Sequence, residues 1–145
     1  MADISKIKPV ERSIEIKDPA SGNPLGIRVT VMSIEDDRLK RIKRDITDES
    51  LRLQSRNKHF KMADIEANEN RILFAASLGW EWYNPTGNEG DEGYDPDAMP
   101  DFNGEVPEYN QKNFMTVIKE LSWFAAQLRN EIDEEKAFFA GSKSN

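Results

Sequence analysis

One histidine, His59, and a run of carboxylates between Glu89 and Glu108 are the residues best equipped for chemistry, and neither assembles a recognisable site. His59 stands in the polar stretch Arg56-Asn57-Lys58-His59-Phe60, with no second histidine and no cysteine anywhere in the chain. A zinc site needs several nitrogen, sulfur or carboxylate ligands converging on one point. A serine nucleophile needs a histidine base and an orienting acid, and no nucleophile-elbow sequence accompanies His59. The carboxylates Asp91, Glu92, Asp95, Asp97, Asp101 and Glu105 offer hard oxygen ligands of the kind calcium takes. Their spacing departs from the calcium-loop pattern, because Met99 and Pro100 occupy the positions of a ligand and the turn glycine. The chain is therefore expected to be no enzyme, with no cofactor and no metal.

Charge narrows the partners. Net charge is −7 and the sequence pI about 4.8. Binding to nucleic acid depends on Lys and Arg neutralising phosphates, so no nucleic acid and no anionic membrane surface is expected as a partner. The basic cluster Arg38, Lys40, Arg41, Lys43 and Arg44 is interleaved by Leu39 and Ile42 and flanked by Asp36, Asp37, Asp45 and Asp48. That pattern reads as a solvated helix face, able to meet acidic residues of a partner or of another copy. Absence of cysteine excludes disulfides and thiol catalysis and fits a reducing compartment. No stretch approaches the roughly 20 apolar residues of a membrane span. The opening Met1-Ala2-Asp3-Ile4-Ser5-Lys6 is expected not to act as a signal peptide, which needs an apolar core.

Periodicity supplies the elements that must position these groups. Residues 1–12 are expected to be a flexible N-terminus, 13–140 a single domain, and 141–145 a polar tail. Ile14 and Ile16, then Ile27, Val29 and Val31, alternate with polar residues around the turn-rich Asp18-Pro19-Ala20-Ser21-Gly22-Asn23-Pro24. Such a pattern predicts a β-hairpin. Ser33 is placed as the cap of a charged helix over 35–57 carrying Leu39, Ile42, Ile46 and Leu53 on one stripe. A second helix is predicted over 62–78, with Ile65, Ile72, Leu73 and Ala76 inward and Gly79 as its stop. Residues 84–107 are predicted to be a long acidic loop. They hold Pro85, Gly87, Gly90, Gly93, Pro96, Pro100 and Gly104, and eight acids with no base lie between Glu89 and Glu108. Asn110 caps a third helix bearing Phe114, Val117, Ile118 and Leu121, and Ser122 either starts a fourth or marks a bend. The fold class is thus α+β: an N-terminal hairpin, then three or four helices.

Trp123-Phe124 and Phe138-Phe139 are adjacent aromatic pairs. Neighbours on a helix point about 100° apart, so one member of each pair is a candidate for an interface, where aromatics are enriched. The same residues equally suit a wide core stripe.

The order of segments resembles the tail assembly chaperones of long-tailed bacterial viruses. The resemblance runs from Ser13-Ile14-Glu15-Ile16-Lys17-Asp18-Pro19 through Gly22-Asn23-Pro24-Leu25, the charged helix from Asp36 to Lys58 and Leu78-Gly79-Trp80. It continues through Phe102-Asn103-Gly104-Glu105-Val106-Pro107 to Leu121-Ser122-Trp123-Phe124, Gln127-Leu128 and Phe138-Phe139. It implies a protein of the host cytoplasm, absent from the mature virion, that binds the phage tape measure protein and keeps it soluble. It further implies recruitment of the major tail (tube) protein, self-association, and a longer frameshifted form in many members. Phe114, Trp123, Phe124, Leu128, Phe138 and Phe139 are the candidates for the client-binding stripe. The alternative is a structural virion protein such as a head–tail connector or tail terminator.

Overall fold

β-Branched side chains at every second position favour extended backbone and give a strand one apolar face. In the computed structural model, the two alternating runs form β1 (Arg12–Lys17) and β2 (Pro24–Val31), paired antiparallel with Ile14 opposite Val29. The structure describes residues 3–6, 11–56 and 62–143, with side chains left out for 6 and 136–143. His59 and the junction it occupies lie outside the described residues. Arg12, assigned above to a flexible N-terminus, is the first residue of β1. Asp18 makes the turn: its Oδ1 accepts from Ala20 N at 2.7 Å, and its backbone pairs with Gly22 and Asn23.

The helices are α1 (Asp37–Arg56), α2 (Met62–Ala76), α3 (Gln111–Glu120) and α4 (Ser122–Lys143), so the class is α+β with a hairpin followed by four helices. Asp36, not Ser33, caps α1, its Oδ1 accepting from Arg38 N at 2.9 Å. Asn110 caps α3 through Asn113 N at 2.8 Å. Leu121 separates the last two helices, and α4 carries the helix through 141–143 of the expected polar tail.

The second predicted helix stops earlier than its apolar pattern suggests. Ser77 Oγ donates to Phe74 O at 2.6 Å, and Ala76 O accepts from Met32 N at 2.8 Å. With those carbonyls taken, the chain turns extended as β3 (Ser77–Trp82), where Trp80 and Trp82 alternate with Gly79 and Glu81. β3 pairs antiparallel with β2, giving a three-stranded sheet in the order β1-β2-β3. Gly79 is therefore a strand residue rather than a helix stop.

One sheet face carries the core. Ile14, Ile16, Ile27, Val29 and Val31 meet Leu73 of α2, Phe114, Val117 and Ile118 of α3, and Phe124, Ala125 and Leu128 of α4. Burying each such large side chain contributes about 1.5–3 kcal/mol. Gln127 closes the end of β1, accepting from Lys17 N at 2.8 Å and donating to Lys17 O at 2.7 Å.

The connection from Tyr83 to Asn110 is folded onto the sheet rather than held open by its charge. Asn84 Nδ2 donates to Asp95 O at 2.7 Å, Pro96–Ala98 forms a 3-10 turn, and Asn103-Gly104 makes a tight turn with both φ values positive. Trp80 Nε1 donates to Pro107 O at 3.0 Å. Gly26 (φ +93) permits this approach, because a Cβ there would lie 2.0 Å from Tyr83 O.

Candidate partner-binding site

The residues proposed from sequence for a client-binding stripe are not exposed together. Phe114 and Phe124 are 0% exposed and Leu128 is 1% exposed, all within the core. This corrects their assignment as contact residues. Phe124 and Leu128 are one turn apart on the α4 face that covers the sheet, so the periodicity that singled them out belongs to packing. Trp123, about 100° around the helix, is half-buried at the core edge, its ring centroid 6.2 Å from that of Phe124. The backbones of Phe138 and Phe139 lie in α4, and their side chains fall outside the described residues.

Two polar clusters brace the body. Glu135 is buried and accepts from Ser33 Oγ at 2.6 Å and Ile34 N at 3.2 Å. Arg12 Nε lies 3.3 Å from its other oxygen, in ionic contact without hydrogen-bond alignment. This cluster ties the end of β2 and the start of β1 to α4, while the Ser33 hydroxyl oxygen accepts from Glu35 N at 3.2 Å, ahead of the first turn of α1. On the opposite sheet face, Tyr83 OH donates to Glu15 at 2.6 and 2.7 Å, while Arg28 pairs with Glu15 and lies 4.1 Å over the Tyr83 ring. Burial, and then the bond to Glu15, pushes the Tyr83 phenol above its ordinary value of 10. In both clusters the carboxylate is engaged by its neighbours, as in a structural clamp.

Among the described residues, Ile4, Met99 and Val106 are exposed singly, and the other exposed large apolar side chains, Leu51, Leu53, Met62 and Ile65, gather on α1 and α2. α1 packs chiefly on α2, and only Leu39 and Ile46 among its side chains are buried. Leu51 is 57% exposed, Ile65 39% and Met62 72%. Between the two helices runs an open groove of about 250 Å³, with Ile46, Leu51, Ile65 and Ile72 as apolar walls and Thr47, Ser50, Gln54, Asn68 and Glu69 between them. For scale, a cavity of about 150 Å³ takes benzene. The groove thus has room for more than one apolar side chain.

Bonds along the seam hold it in shape. Asn68 Nδ2 donates to Ser50 Oγ at 3.1 Å, and Arg71 bridges to Glu49 at 3.1 Å. Glu69 lies 3.9 Å from Arg129 of α4. The sequence carried one signal for this groove: Leu51 falls off the Leu39–Ile46–Leu53 stripe by about two-fifths of a turn, an apolar residue without a core to join. Among the described residues, no group of three or more His, Cys, Asp or Glu is placed to hold a metal ion. No described helix is long and apolar enough to cross a membrane. No protein-family model, curated protein or solved structure matches the chain.

Proposed function

We propose that this chain is a non-enzymatic binding protein, a phage tail assembly chaperone that acts in the host cytoplasm. Its client is the tape measure protein, a long helical chain whose apolar stripes aggregate when uncovered. The observation that carries the reading is the open apolar groove between α1 and α2, a surface of the kind that accepts the apolar side of an amphipathic helix. The order of strand, Asp-Pro turn, charged helix and closing aromatic segment, similar to that of tail assembly chaperones, supplies the identity of the client. Recruitment of the tail tube protein and self-association belong to the same proposal.

The groove takes the place of the buried Phe114, Phe124 and Leu128 as the contact surface. Leu51 and Ile65 face solvent on either side of it, so covering them gains apolar burial without disturbing the sheet core. The test is co-expression with the tape measure protein of the same genome, scoring the soluble fraction. Soluble, co-purifying tape measure protein supports the proposal, and Leu51→Ser with Ile65→Ser should abolish the effect in a chain that still folds. Equal aggregation with and without this chain contradicts it. Detection of the chain in purified particles would then point to a structural virion protein.

A further inference from the structure

The groove has a charged end as well as apolar walls. Lys43 and Arg44 stand on α1 one turn before Thr47 and roughly two turns before Leu51, so the cations lie beyond one end of the apolar walls on the same side of the helix. Lys43 is half-buried, its stem on the helix surface, and Arg44 is exposed. Neither makes an ion pair among the described residues, whereas Arg38 holds Asp36 at 2.8 Å and Lys40 holds Glu35 at 3.0 Å. Asp48 is one turn from Arg44, yet the two do not pair; a cation placed N-terminal to its acid is the weaker helical arrangement. Two unspent positive charges thus stand at the mouth of an apolar groove in a chain of net charge −7.

Resting on the groove reading above, we infer that Lys43 and Arg44 select an acidic amphipathic helix, one whose carboxylate follows its apolar anchor by about one turn. The charge complement decides the occupant. A client helix lying along the groove advances about 1.5 Å per residue, the same as α1. For a client helix running antiparallel to α1, an anchor between Ile46 and Ile72 places a carboxylate three or four residues further on beside Lys43 and Arg44. A neutral or basic helix fills the same walls and leaves both cations without a partner. Exposed ion pairs are modest and fade with salt, so the lip tunes choice and orientation while the apolar walls supply most of the affinity.

The test uses two short synthetic helices with the same leucine stripe, one carrying Glu on the positions that follow each leucine and one carrying Gln, titrated into the full chain at low salt. The Glu helix should bind about three- to tenfold more tightly. That difference should vanish in Lys43→Gln/Arg44→Gln, and in about 0.5 M salt, where screening is nearly complete. Equal binding of both helices overturns the acidic preference while leaving the groove reading intact. Binding of neither overturns both. Dimerisation of the chain itself with the same sensitivity to Lys43→Gln/Arg44→Gln would assign the lip to a second copy and overturn the inference.

Discussion

Around Val29, Ile14 and Trp80 flank the strand and α3 and α4 close over it; around Leu51, more than half of the side chain still faces solvent. The sheet body is built on β-branched and aromatic side chains and α1 on charged ones, and the two regions differ further in what covers them. The body has a sheet face and three helices around one core. The arm has two helices, one seam and a groove, and α1 contributes only Leu39 and Ile46 to the interior. A region with few buried apolar contacts opens locally at low cost, whereas a core strand opens only with the whole domain. Stability and recognition are therefore expected to lie in different parts of the molecule, and changes in the two regions should have separable effects.

The largest effect belongs to the body. Phe114→Ala removes a fully buried ring and should destabilise the chain by about 3–5 kcal/mol in denaturant unfolding. Glu135→Ala comes next: it leaves the Ser33 hydroxyl and the Ile34 amide without their acceptor and leaves Arg12 only its bond to Glu131 O, at about 2–4 kcal/mol in the same experiment. Asn110→Ala removes one helix cap and should cost about 1 kcal/mol. On the arm the order reverses: Leu51→Ser with Ile65→Ser should change stability by under about 0.5 kcal/mol per site while removing client binding. A large loss of stability in that double variant would merge the two regions and break the comparison.

The smallest effect is one of pH. The Tyr83 phenol is raised above its ordinary value, so its contribution is complete below about pH 10 and is lost as pH rises through the higher folded value. Between unfolding curves measured at neutral and alkaline pH, Tyr83→Phe should show a shallower decline than the parent chain. An identical decline would remove the Glu15–Tyr83 bond as its source.

What the sequence disclosed follows the same division. The hairpin was legible because Ile14/Ile16 and Ile27/Val29/Val31 alternate strictly about an Asp-Pro turn. The third strand was not, because the run from Ile72 to Leu78 is apolar but for Ser77, without a two-residue alternation, and the helix is ended by bonds from Ser77 and Met32. The apolar faces of α3 and α4 were evident, but periodicity reports that a face is apolar and not what covers it. Phe114, Phe124 and Leu128 were thus assigned to a partner when the sheet covers them. Leu51, out of step with its own stripe, was the clue to the exposed site.

The division itself is tested most directly by hydrogen exchange of the chain alone and in the presence of the proposed client, the tape measure protein. New protection of α1 and α2 amides between Lys43 and Ile72, with the core of α3 and α4 unchanged, is the predicted result. Protection gained along α4 from Ser122 to Glu135 while the arm exchanges as before would contradict it.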